Sequence, residues 1–307
     1  GHQRVFSDRR EISLNQLEST YSAVVGLSSG MANWPLDRSS QSTSQGAAAV
    51  SYRPLSLEGR VAVVVGGTTG IGRALALGLA EAGADVVASA RGAENLEAAA
   101  VEIEALGRRT LRIRSDVADR ASLEALRDAV LAGLGRIDIL INCAGRTQRT
   151  PTLDVSEAEW NGILDTNLTG TLRGCQIFGR TMLERGYGRI INIASLGSFV
   201  GLFEVAAYAA SKAGVASLTR QLAVEWGGRG VCVNAIMPGV FRTALNGGLL
   251  DGTPRGQEFL LRTPMRRFGR LDELAGAAIF LASESASFVN GEVLVVDGGF
   301  LASGVNQ

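Results

Sequence analysis

From Leu55 onward, short β-branched apolar runs alternate with alanine-rich segments of helical period. The runs begin at Val61 (VAVVV), Asp85 (DVVAS), Leu111 (LRIR), Ile137 (IDILIN), Arg189 (RIINIAS), Val231 (VCVNAI) and Val293 (VLVVD). Between them the spacing of apolar positions predicts helices over 73–82, 93–106, 123–134, 160–185, 207–226 and 271–283. Strands that are apolar throughout, rather than at every second position, belong to a sheet covered on both faces. Seven such strands interleaved with helices predict one doubly wound α/β domain over 55–307, with a seven-stranded parallel sheet and right-handed crossovers. Residues 1–54 lack this rhythm. Ser39 to Gly46 (SSQSTSQG) has no apolar side chain to bury, so 1–54 is expected to be a flexible extension.

Composition narrows the chemistry. The chain of 307 residues carries 30 basic and 30 acidic side chains, a balance that points away from nucleic acid and from anionic membrane surfaces. No apolar run reaches membrane-spanning length. The single histidine, His2, stands at the N-terminus, which leaves no candidate for a Ser-His-Asp triad, a His-ligated zinc or a histidine base. Cys143, Cys175 and Cys232 are widely spaced and odd in number, so reduced thiols in a cytoplasmic protein are expected, with neither a disulfide framework nor a metal site. Glycine is abundant, at 39 residues, without a collagen period, which assigns it to turns and close backbone approaches.

The first predicted strand runs into VGGTTGIG, and Gly66, Gly70 and Gly72 stand before a helix. A glycine triplet alone is a weak signal. At the first strand-to-helix turn of a βαβ repeat it is the Rossmann dinucleotide site, where backbone amides at a helix N-terminus receive phosphates. Gly66, Thr68, Thr69, Gly70 and Ile71 are the candidates there. The second strand ends Ser89-Ala90-Arg91 with no carboxylate to hold a ribose 2′-hydroxyl. Arg91 suits a 2′-phosphate, so NADP(H) is expected over NAD(H); the alternative is a solvated loop arginine. Asp116 and Val117, after the third run, are candidates for the adenine edge, although Asp116 equally suits a turn cap.

Tyr208 and Lys212 form YAASK, four residues apart on one helix face. Lowering a phenol's pKa from about 10 to about 7 takes about 4 kcal/mol. A neighbouring ammonium and a bound nicotinamide cation supply stabilisation of that sign. Ser195 ends INIAS thirteen residues before Tyr208, Asn167 lies in DTNLTG, and NCAG spans Asn142 to Gly145. With MPGVFRT and the late VDGG, this set resembles the short-chain dehydrogenase/reductase family over residues 55–307. The resemblance implies that Tyr208 is the general acid/base and that Lys212 lowers its pKa and binds the nicotinamide ribose. Ser195 would hold the substrate oxygen, and Asn167 would anchor a relay water. Asn142, Ala144, Gly145, Pro238, Gly239, Val240 and Thr243 would complete the cofactor site. Val65, Cys143 and Ala194 depart from the family's commonest residues, but none of the three positions moves a proton.

AVEW at Ala223–Trp226, RTPMRRFG at Arg262–Gly269, LAGAAIFLAS at Leu274–Ser283 and VDGGFLA at Val296–Ala302 resemble the family's sugar-acid branch, similar to gluconate 5-dehydrogenase and 2-deoxygluconate 3-dehydrogenase. The expected reaction is therefore NAD(P)-dependent interconversion of a secondary alcohol and a ketone on a sugar acid or polyol. Arg146, Arg149 and Arg242 are candidate forks for a substrate carboxylate, and Gly247, Gly248 and Gly252 suit a lid. One competing enzyme is a 3-oxoacyl-thioester (acyl-carrier-protein) reductase, with Arg262, Arg266, Arg267 and Arg270 as its docking patch. A non-catalytic NADP-binding sensor is the alternative of another class. The resemblance also implies a homotetramer, to which the alanine-rich stretch 213–223 would contribute.

Overall fold

Five consecutive residues of Val61–Val65 are buried, the pattern of a strand with helices on both sides. In the computed structural model, which describes residues 53–243 and 246–305, this strand (β1) lies inside a six-stranded sheet. The others are β2 (Asp85–Ser89), β3 (Ile139–Asn142), β4 (Gly188–Ile193), β5 (Val231–Pro238) and β6 (Val293–Val296). Their order is β2-β1-β3-β4-β5-β6 and every pairing is parallel. The predicted 1–54 extension lies outside the described residues apart from Arg53 and Pro54, which enter a 3₁₀ turn over Arg53–Leu55.

Among the described residues there are six strands, one fewer than the sequence predicts. Leu111–Arg114 does run beside β2 at the sheet edge. Backbone-to-backbone bonds tie it where Val86 N donates to Arg109 O and Ser115 N donates to Ala90 O. Between these points the Ser89 hydroxyl takes the Ile113 carbonyl at 2.6 Å, so a side chain occupies a rung the ladder would use.

Two apolar layers cover the sheet. Ala62, Val64, Ile139 and Ile191 face α1 (Gly70–Glu81), α2 (Ala93–Ala105) and α9 (Ala275–Ala282). Val61, Val63, Leu140 and Ile190 face α3 (Arg120–Leu134), α5 (Gly170–Arg185) and α6 (Ala206–Trp226). The periodicity predicts one helix over 160–185; instead α4 (Glu157–Leu164) passes through a π turn at Asp165–Thr169 into α5. Short π segments are frequent at functional sites, and this one contains Asn167. The glycine-bearing segment after β5 folds into α7 (Gly247–Leu250) and α8 (Pro254–Arg262), the latter capped by Thr253 Oγ1 accepting from Gly256 N at 3.0 Å. The chain leaves β1 toward β2 on one side and later returns to β3 on the other. The carboxyl ends of β1 and β3 therefore flank the crevice where open α/β sheets bind ligands.

Candidate active site

The turn after β1 is compressed between two neighbours. Gly66 has φ +81°, and a Cβ on it would sit 2.5 Å from Ala144 N; a Cβ on Gly72 would sit 2.0 Å from Gly66 O. The turn hangs from β2, because Gly66 N and Gly67 N both donate to Ser89 O. Helix α1 starts at Gly70 with no capping bond from the Thr69 side chain, so its first-turn amides keep their donors for something else. A Cβ on Gly70 would meet only Thr243, at 3.6 Å. Uncapped amides above an open floor of glycine fit the phosphates of a dinucleotide. Thr68 is buried, whereas Thr69 is exposed and Ile71 half-buried beside it.

Arg91 is exposed just beyond β2, and Arg114 Nε donates to its carbonyl at 2.7 Å. Sequence reasoning missed Arg114. Its only signal was its position at the end of the LRIR run. Asp116 caps a turn, its Oδ1 accepting from Ala118 N at 3.0 Å. Val117 packs under Gly170, where a Cβ would approach it to 2.9 Å. The Asn142 carboxamide faces the protein interior, donating to Asn192 Oδ1 at 2.9 Å and to Cys175 Sγ at 3.3 Å. Asn192 continues this chain to Thr219 on α6, so Asn142 binds the sheet to its helices. Backbone holds β1 to the loop after β3: Cys143 N donates to Val65 O at 2.9 Å, and neither side chain is needed. Pro238 is buried at the end of β5, and Gly239 passes so near Asp297 that a Cβ would lie 2.6 Å from its Cα. Val240, with Phe241, Met265, Asp297 and Gly298, lines a cavity of about 330 Å³.

Four segments bring Tyr208, Lys212, Asn167 and Ser195 together. Lys212, 5% exposed on α6, donates from Nζ to Ile193 O at 2.6 Å and lies 5.8 Å from the centre of the Tyr208 ring. A Cβ on Gly145 would be 3.7 Å from that Nζ and 3.4 Å from Asn167 Oδ1, so the loop after β3 closes directly over the lysine. Asn167 is fully buried. Both its amide hydrogens are used, one on Arg146 O (2.9 Å) and one on Ser211 Oγ (3.0 Å), while its Oδ1 accepts from Arg146 N at 2.8 Å. The side chain thus fastens the Gly145–Arg146 turn to α6. Ser195 is buried at the end of β4, and its Oγ accepts from Gly197 N at 3.3 Å.

Burial sets the electrostatics. It pushes the Tyr208 phenol above its ordinary value, and the Ser195 hydroxyl, donating to the phenol oxygen, works in the opposite direction. Burial also pulls the Lys212 ammonium down to about 8 and pushes the nearby Cys143 thiol up to about 11. Each group is thereby held nearer its neutral form.

The arginines proposed as carboxylate forks are mostly engaged. Arg149 pairs with Glu204 at 2.6 Å and Arg242 with Asp251 at 2.6 Å; among the described residues Arg146 makes no ion pair. In the supposed docking patch, Arg262 pairs with Glu258, Arg267 with Glu273, and Arg270 with Asp272 and Glu273. That leaves little net positive charge for a carrier protein. Among the described residues, no helix is long and apolar enough to cross a membrane.

A family model described as Enoyl-(Acyl carrier protein) reductase matches residues 65–301. The chain is 45% identical to D-threitol dehydrogenase of Mycolicibacterium smegmatis over 244 residues, 80% of this chain and 94% of that protein. It is 42% identical to 2-dehydro-3-deoxy-D-gluconate 5-dehydrogenase of Pseudoalteromonas atlantica over 248 residues, 80% of this chain and 97% of the other. Among solved structures, gluconate 5-dehydrogenase from Burkholderia cenocepacia, in complex with NADP and tartrate, superimposes with a TM-score of 0.79 at 39% identity, covering 82% of this chain and 98% of that one.

Proposed function

The chain belongs to the short-chain dehydrogenase/reductase family, and from that premise we propose that it interconverts a secondary alcohol and a ketone on a small polyol or sugar acid, using NADP(H) in preference to NAD(H). One observation carries the proposal: Gly145 draws Lys212 and Asn167 together beside Tyr208, at the same sheet end as the uncapped α1 amides. Gly66, Gly70 and the first turn of α1 would hold the phosphates, and Arg91, with Arg114 beside it, would meet the 2′-phosphate. When bound, the cofactor supplies or accepts the hydride. Everything else falls to the protein. Ser195 orients the reacting oxygen, and Tyr208 Oη passes a proton to it in reduction or takes one from it in oxidation. Lys212, anchored on Ile193 O, supplies the positive charge that makes the phenolate accessible. Asn167 positions the Gly145 turn over Lys212.

The test is a coupled assay of the purified chain with NADP and NAD against polyols and aldonates. Turnover with NADP is expected to exceed that with NAD. Arg91→Ala is expected to reduce this preference about tenfold or more, chiefly through the KM for NADP, because a planar fork is lost from the 2′-phosphate. An unchanged NADP/NAD ratio would assign Arg91 to the solvent.

We propose further that the chain is a homotetramer, as the family resemblance implies. Val224 on α6 is 82% exposed in the single chain and Val295 on the edge strand β6 is 42% exposed, both suited to burial between subunits. Light scattering at micromolar concentration is expected to give about four times the chain mass; a monomer there would refute the assembly.

A further inference from the structure

Glu204 holds its backbone at φ +63°, a left-handed conformation that a non-glycine residue adopts only under strain. Strain of this kind persists only where surrounding contacts enforce it, and three segments meet here. From the loop after β3, Arg149 Nε meets Glu204 Oε2 at 2.6 Å, and Thr150 N donates to Glu204 O at 2.9 Å. From α8, Arg255 donates to the neighbouring Phe203 O at 3.3 Å and lies 5.4 Å from the centre of the Phe259 ring. The third is the segment of Glu204 itself, which leads from Ser195 into α6 four residues before Tyr208. All three arise at the carboxyl ends of the strands, the end that carries Lys212 and the glycine turn.

We infer that Glu204 is a positioning residue that sets the charge preference of the substrate site, occupying Arg149 so that an uncharged polyol is accepted in preference to a carboxylate-bearing sugar acid. Arg149 is the exposed member of the pair, its side chain 47% accessible against 21% for Glu204. A planar fork in that position is the natural partner for a carboxylate. With Glu204 already in place, an incoming acid must break the ion pair or stand beside a like charge. A polyol hydroxyl pays neither cost, because it bonds to the paired groups as readily as water does. Arg255 is turned toward the Phe203 carbonyl and the Phe259 ring, and it is the same in every variant compared below. Arg242, a second of the three candidate forks, is neutralised in the same way by Asp251, and the third, Arg146, lies against α4, its Nη1 3.6 Å from where a Cβ on Gly162 would stand.

The inference rests on the dehydrogenase reading and selects one of its two substrate classes. The test compares kcat and KM for threitol and gluconate in the wild-type chain, Glu204→Gln and Glu204→Gly, the last of which also relieves the positive φ. Wild type is expected to have the higher kcat/KM on threitol. Glu204→Gln is expected to raise the gluconate/threitol ratio of kcat/KM about tenfold, through the KM for gluconate, and Glu204→Gly is expected to shift it in the same direction. In Glu204→Gln/Arg149→Gln the gain should disappear, because it requires the freed guanidinium. An unchanged ratio, or an equal loss on both substrates, would overturn the role of Glu204 while leaving the dehydrogenase reading intact. Absence of turnover on both substrates in every variant would overturn that reading and this inference together.

Discussion

Tyr208→Phe is expected to lower turnover by on the order of 10²- to 10⁴-fold, the usual contribution of a positioned general acid/base, with cofactor affinity within about twofold of wild type. The substitution removes one oxygen and keeps the ring. The packing around α6 survives, and Lys212 remains anchored on Ile193 O at 2.6 Å. What disappears is the proton carrier facing Ser195. The pH profile separates this from a packing defect. Burial holds the Tyr208 phenol above its ordinary value, so the neutral form that donates in reduction persists through neutral pH. The phenolate needed for oxidation becomes more populated as pH rises, so wild-type oxidation should climb from neutral toward alkaline pH while reduction does not. Lys212, pulled down to about 8, assists the phenolate only while it stays protonated, so the climb should flatten above that value. Residual activity of Tyr208→Phe should lack this dependence. Full activity in the variant would remove Tyr208 from the chemistry. Tight NADPH binding without turnover in the wild type would favour the sensor reading instead.

What was legible in the sequence was whatever consecutive residues encode. β1 reads as a strand because all five of its residues are apolar, and the glycine turn follows it without interruption. Tyr208 and Lys212 are one helical turn apart, so the helix alone brings them together. Asn167 was legible as a residue but not as a shape. Its π turn arises where Thr166 and Thr171 hydroxyls donate to the carbonyls of Gly162 and Asn167, a competition that helical periodicity does not register. The run at Leu111 has strand composition, yet its rungs at the sheet edge are partly taken by the Ser89 side chain. Asn142 is legible as the end of an apolar strand, but the partners of its carboxamide, Cys175 and Asn192, are 33 and 50 residues away. Glu204 carries no signal at all. Its surroundings depend on Arg149 arriving from the loop after β3 and Arg255 from α8, and pairing between segments distant in the chain leaves no period in it.

Gly72→Ala is expected to weaken NADPH binding about tenfold to a hundredfold, because the new methyl group has nowhere to go. Its carbon would lie 2.0 Å from Gly66 O and 2.9 Å from Gly66 C. Gly66 has no room to retreat, since its own Cα faces Ala144 backbone so closely that even a Cβ there would fall 2.5 Å from the nitrogen. The α1 amides must therefore move away from the turn they serve. Overpacking of this kind costs about 1–3 kcal/mol, and the unfolding midpoint should fall by several degrees. Lost binding alone would be ambiguous, because a destabilised fold also binds poorly. Gly70→Ala resolves this. Its Cβ would meet only Thr243, at 3.6 Å, so the bare protein has space for it, and the cost in stability is mainly that of φ +51°. If a pyrophosphate lies against that glycine, Gly70→Ala should lose binding out of proportion to its small change in midpoint. Should the two variants lose binding and stability in the same ratio, the turn would be merely a close-packed corner of the fold and the phosphates would have to bind elsewhere.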